Sequence, residues 1–278
     1  MARHAKTDNL IETAHEVLEQ GHPMTVRQVY YQLVSRQVTE NNLGRYKAVS
    51  NALVAARQEG LIPWEWIEDR LRRPRCVNTW DSLSDFAIDA AASYRRDAWW
   101  HVPGYFETWL EKDALSGIFE DVLETYRVTL NVGRGYDGWD SIRNAARRIG
   151  PGDGGGAAIL YFGDFDPSGD DMVESLKKRL AFFGCKPEVV KCALTYEDIE
   201  RYQLPPNLTK KTDSRSAAFV KKYGDVAVEL DALPADVLRD RLVAEVEQRM
   251  DLDALAEVKK IEAAERAKLV EALSRIDQ

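Results

Sequence analysis

Three carboxylates and one tyrosine stand out in this sequence by residue type and spacing. Asp164 and Asp166 lie two apart in Gly163-Asp164-Phe165-Asp166-Pro167-Ser168-Gly169, directly after the apolar run at 157–162. Two acids at this spacing can both project from the end of one strand, and Pro167 and Gly169 turn the chain into the next element. Glu111 closes a second apolar segment, YFETWLE. Carboxylates converging at a sheet edge make the all-oxygen site that suits Mg²⁺. The plainer reading makes Asp164 and Asp166 turn and N-cap residues and Lys112 an exposed lysine at a helix start. Finding both acidic segments one βαβαβ unit apart favours a site over that reading.

The tyrosine lies in Arg27-Gln28-Val29-Tyr30-Tyr31. At about 100° per residue, Val26, Val29, Tyr30 and Leu33 share one apolar helix face. Arg27, Tyr31 and Ser35 share another, with Arg27 and Tyr31 at i and i+4. This predicts Tyr30 in the core and Tyr31 pointing outward beside a guanidinium. A phenol with its ordinary pKa of about 10 is a weak nucleophile, and Arg27 can stabilise phenolate or phosphate charge.

The elements that position these residues follow from periodicity and punctuation. Helices are predicted over 8–19, from Thr25 to about 36 with Thr25 and Gln28 at capping-box spacing, and over 44–59 before Gly60. A short extended segment and the aromatic-basic run WEWIEDRLRRPR come next. Three helices and an extended segment outline a winged helix-turn-helix over residues 1–80. The third helix would present Lys47, Ser50, Asn51, Arg57 and Gln58 opposite an apolar face of Tyr46, Val49, Ala52, Leu53 and Ala56. Arg70, Arg72, Arg73 and Arg75 add a basic run for phosphates. Residues 81–104 read as a helix and connector.

From residue 105 strands and helices alternate, which predicts an α/β domain over 105–278 with a parallel sheet. DVAVELDAL is a candidate late strand. The segment after residue 234 reads as helical with a charged, solvated tail. Gly152–Gly156 lacks the lysine and helix of a phosphate-binding loop and reads as a turn. Lys210, Lys211 and Arg215 form a further basic patch.

The order Arg27-x-x-Tyr30-Tyr31, Glu111-Lys112, Gly135-Tyr136 with Arg143, and Asp164-x-Asp166-Pro167-x-Gly169 resembles the DNA topoisomerase VI A subunit and its meiotic double-strand-break relatives. The likeness covers about residues 20–200, with Asp137 where the family carries proline. The compact Mini-A branch is the most similar in size. The resemblance implies a winged helix followed by a Toprim domain, with Tyr31 as nucleophile and Glu111, Asp164 and Asp166 as Mg²⁺ ligands. It also implies Lys112 and Arg143 at phosphates, Arg27 beside the tyrosine, and Asp170 and Asp171 as weaker candidates. Its reaction is transesterification onto duplex DNA by a homodimer, in which tyrosine and metal meet across subunits. In the family a separate ATPase subunit drives this step, and no ATP site is visible in this chain.

Composition sets the bounds. The chain has 278 residues and a formal net charge of −8, which by itself speaks against nucleic acid. Residues 1–80 carry 11 Lys+Arg against 9 Asp+Glu, and 81–278 carry 27 against 37, so the acid excess lies away from the expected DNA-reading unit. Cys76, Cys185 and Cys192 show no metal-ligand spacing and read as buried hydrophobes of a reducing compartment. No segment approaches the roughly 20 apolar residues of a membrane span, and no signal peptide opens the sequence, so a cytoplasmic protein is expected. Two other readings stay open: a hydrolytic Toprim nuclease in which water replaces Tyr31, and a non-catalytic DNA-binding or partner-dependent subunit.

Overall fold

The computed structural model describes residues 5–68, 77–133, 138–152, 156–205, 216–224 and 226–273. Helices α1 (Ala5–Gly21), α2 (Val26–Ser35) and α3 (Leu43–Gln58) pack on one another. Thr25 caps α2 with the full capping box: its hydroxyl accepts from Gln28 N, and Gln28 Oε1 accepts from Thr25 N at 2.7 Å. The predicted extended segment is present as a single parallel bridge, Met24 to Ile67. α4 (Leu83–Ser93) follows the region 69–76, which lies outside the described residues together with Arg70, Arg72, Arg73 and Arg75.

Four strands form one parallel sheet in the order β2-β1-β3-β4: β1 (Phe106–Leu110), β2 (Thr129–Val132), β3 (Ala158–Phe162) and β4 (Glu188–Ala193). Parallel neighbours need crossover connections. These are α5 (Ser116–Tyr126), α6 (Trp139–Ile149) and α7 (Pro167–Phe182). All five residues of β3 are buried. Ala158, Leu160 and Phe162 join the core beneath α5, α10 (Ala235–Glu247) and the three-helix unit, while Ile159 and Tyr161 join a second core with α6 and α7. A sheet covered on both faces explains why β3 is apolar throughout rather than alternating. Within β1, Glu107 is fully buried, and Asn131 Nδ2 and Arg148 Nη2 both donate to its Oε2 at 2.7 Å.

α8 (Tyr196–Tyr202) and α9 (Ser216–Tyr223) precede α10, and α11 (Leu252–Leu273) ends the described chain. Two expectations need correction here. The late strand is a single antiparallel bridge, Phe165 to Val228, followed by a 3₁₀ turn, Leu230–Ala232. The chain leaves the strand path because Leu230 N donates to Asp164 Oδ1 at 2.7 Å. The tail after 234 is not simply solvated. α11 packs on α4, burying Leu255, Val258 and Glu262, and Glu262 accepts from Arg96 N, Arg127 and Arg266. Cys185 and Cys192 are buried free thiols, as expected. Among the described residues, no helix is long and apolar enough to cross a membrane.

Candidate functional site

The carboxyl ends of β1 and β3 bring Glu111 and Asp164 together. Glu111 N bonds back to Phe162 O, and Asp164 N donates to Glu111 Oε2 at 2.9 Å. Gly163 makes the approach possible: a Cβ there would lie 2.6 Å from Glu111 Oε2. Asp166 is the N-cap of α7 and accepts from Gly169 N at 2.6 Å. A Cβ on Gly169 would lie 2.3 Å from Asp164 O, so glycine is required there. The capping role foreseen for Asp166 is therefore real, and it sets the carboxylate in the field of Glu111 as well.

Two further acids enter from a distant part of the chain. Glu229 and Asp231 flank Leu230 at the 3₁₀ turn held by Asp164. Lys112 Nζ sits among them, 2.6 Å from Glu229 Oε2, 3.1 Å from Asp164 Oδ1 and 3.2 Å from Asp231 Oδ1. Arg27 of α2 ion-pairs with Glu229 and reaches Asp231 through Nε at 2.9 Å. Its guanidinium lies 5.7 Å from the centre of the Tyr31 ring. The sequence carries a faint mark of these acids, since Glu229-x-Asp231 repeats the spacing of Asp164-x-Asp166.

Electrostatics follow from crowding. Burial, then the Asp164 charge, pushes the Glu111 carboxyl up to about 7. Burial pushes Asp164 up to about 6 although Lys112 works against it. For Glu229, burial is outweighed by Lys112 and Arg27, which hold it below the usual carboxylate range. Lys112 and Arg27 are both held charged: burial opposes this, and Asp231 with its neighbouring acids overcomes it.

The cluster thus gathers four carboxylates (Glu111, Asp164, Glu229, Asp231) around two cations, with Asp166 beside Glu111 as a fifth acid. A hard divalent cation fits this donor set in chemistry: the ligands are oxygens, and burial holds Glu111 and Asp164 above the ordinary carboxylate range. Among the described residues no three such side chains converge at ligating distance; Lys112 and backbone amides contact the oxygens of Asp164, Glu111 and Asp166 instead.

A pH dependence follows. Glu111 and Asp164 bind protons more tightly when folded, so their contribution to stability is complete below the ordinary carboxylate pKa. It is lost as pH rises through about 6 and about 7. In EDTA, the melting temperature should therefore fall by several degrees between about pH 5 and about pH 8. Mg²⁺ should recover the loss at the upper end and have little effect at the lower. A thermal melt series checks this, and a melting temperature rising steadily across that range would contradict it.

Tyr30 and Tyr31 separate as follows. Tyr30 is core, and its hydroxyl accepts from Asn42 N at 2.8 Å at the start of α3. Tyr31 does not point into water, as its helical position suggested: it is 5 % exposed. α2 packs against the Leu230–Ala232 turn, to which the partly exposed Arg27 is tied through Glu229 and Asp231. Lys47 and Asn51 are exposed on α3, whereas Arg57 is half-buried with its guanidinium 4.6 Å over Trp64. Arg143 is exposed on α6, outside the cluster. Asp171 is exposed in the first turn of α7, and nothing is described of the Asp170 side chain. Arg72, Arg73, Gly135, Tyr136, Asp137, Lys210, Lys211 and Arg215 lie outside the described residues. No protein-family model matches the chain, and no curated protein matches it in sequence.

Proposed function

We propose that this chain cleaves DNA by magnesium-dependent tyrosine transesterification, in the manner of topoisomerase VI A subunits. The three-helix unit would act as a winged helix and the sheet unit as a Toprim domain. One observation carries the reading: Arg27, a turn away from Tyr31, is joined through Asp231 and Lys112 to Asp164 at the strand ends. The helix that carries the candidate nucleophile is thus tied to the acid cluster within one chain, whereas the resemblance implies that tyrosine and metal meet across subunits.

In this reading the Tyr31 oxygen forms a bond to a backbone phosphorus, the bond from phosphorus to the sugar oxygen breaks, and the sugar leaves as a hydroxyl after taking up a proton. The phenolic proton passes to solvent or a neighbouring carboxylate. Arg27 stabilises charge on the phenolate or phosphate, and Lys112 answers the phosphate or the acids. Glu111, Asp164 and Asp166 would hold the magnesium, whose chemistry is neutralisation of phosphate charge. Lys47, Asn51, Arg57, Arg72, Arg73 and Arg143 are the proposed duplex contacts. A homodimer, with or without a separate ATPase subunit, belongs to the same reading.

Hydrolysis is the second reading, and the burial of Tyr31 favours it. The test is incubation with labelled duplex and Mg²⁺, denaturation, and capture of DNA that stays on protein. Wild type should form the adduct, and Tyr31→Phe should lose it by on the order of 10³-fold. Asp166→Ala should lose it as well. Cleavage that persists in Tyr31→Phe but not in Asp166→Ala would move the assignment to a hydrolytic nuclease.

A further inference from the structure

On the side of the sheet that carries α6 and α7, away from the three-helix unit, two large aromatic side chains stay in solvent. Trp139 is 54 % exposed and Phe182 is 74 % exposed. Their rings meet edge to face at 5.4 Å. The Arg179 guanidinium lies 4.7 Å over the Trp139 ring, and its Nε is buried without a hydrogen-bond partner. Among the described residues, the indole is the contact that holds the Arg179 guanidinium.

Cations are interleaved with these rings at helical spacing. Trp139, Arg143 and Arg147 follow one another four residues apart along α6, and Lys178 stands four before Phe182 on α7. Arg143, Arg147 and Lys178 are exposed, and none ion-pairs with an acid among the described residues. In α6 three arginines face one acid, Asp140, in a chain of net charge −8. Exposed aromatics alternating with cations match single-stranded nucleic acid, whose bases stack on rings while its phosphates meet Lys and Arg. A duplex keeps its bases paired and offers them no such contact.

We infer that the Trp139–Phe182 face of α6 and α7 binds single-stranded DNA, with bases stacked on the two rings and the backbone tracked by Arg143, Arg147 and Lys178. This goes beyond the cleavage reading: it needs neither magnesium nor Tyr31 and shares only Arg143 with the proposed duplex contacts, so the two rings test it separately.

The experiment is fluorescence anisotropy of a labelled oligothymidylate on the full chain in EDTA, across a salt series. Wild type should bind. W139A/F182A should weaken binding roughly 10-fold or more, with W139F retaining most of it. R147E/K178E, which leaves Arg143 in place, should lower affinity and flatten the salt slope. No binding by wild type, or equal binding by wild type and both double variants, overturns the proposal. So does a change in sedimentation of W139A/F182A with unchanged DNA affinity, since the face would then join two copies of the chain.

Discussion

Asp164→Asn should cut DNA cleavage steeply while making the metal-free protein more stable. Asp164 is a carboxylate pushed up to about 6, and its neighbour Glu111 is pushed up to about 7 partly by the Asp164 charge. Two like charges meeting at buried strand ends oppose folding at neutral pH. Asparagine keeps a carbonyl oxygen for Leu230 N, which now donates to Asp164 Oδ1 at 2.7 Å. Lys112 retains Glu229 and Asp231. The substitution therefore removes repulsion without opening the turn. Activity should nevertheless drop by on the order of 10²–10³-fold, the scale seen when one element of charge stabilisation is taken from a phosphoryl-type transition state. Melting in EDTA at about pH 8 should rise by a few degrees. Cleavage within tenfold of wild type would remove Asp164 from the site. A lower melting temperature would show that its charge is already balanced in the folded state.

The sequence reveals three of the five acids of this cluster and both of its cations. The run at 157–162 leading into Asp164-x-Asp166-Pro167 announces a buried strand, a turn and a helix start, because all three signals are local. The Thr25–Gln28 capping box and the crossover pattern were legible for the same reason. Glu229 and Asp231 were not, because VELDAL reads equally as a strand. What makes it a 3₁₀ turn is a hydrogen bond from Leu230 to Asp164, 66 residues away. Tyr31 was misjudged for a related reason. Helical periodicity separates the two faces of α2 but does not tell which of them meets water, and α2 packs against a turn about 200 residues later. Glu107 gave no signal in the sequence: its burial inside β1 is supported by Asn131 and Arg148 from neighbouring elements.

Those distant contacts make Lys112 the side chain on which the cluster depends. Among the described residues, its ammonium is the one group within ion-pair distance of Asp164, Glu229 and Asp231 together. The Asp231 side chain has no exposed surface, and beyond Lys112 only Arg27 among the described residues answers its charge. Removing one partner of a buried pair leaves an uncompensated charge, at a cost of about 3–5 kcal/mol. Lys112→Met, which keeps the length and apolar stem, should therefore lower the melting temperature by roughly 10 °C in EDTA at neutral pH. Arg27→Met should lower it less, because that side chain is 45 % exposed and water screens it. Mg²⁺ separates the two roles of the lysine. If the acids gather around a divalent cation, the metal supplies the charge that the Lys112→Met variant lacks, so Mg²⁺ should raise the melting temperature of this variant more than that of wild type. An equal response in both proteins would mean that the metal and the ammonium do not share these acids. Glu229 and Asp231 would then serve only to fasten α2 to the sheet, with Lys112 as their structural counter-charge.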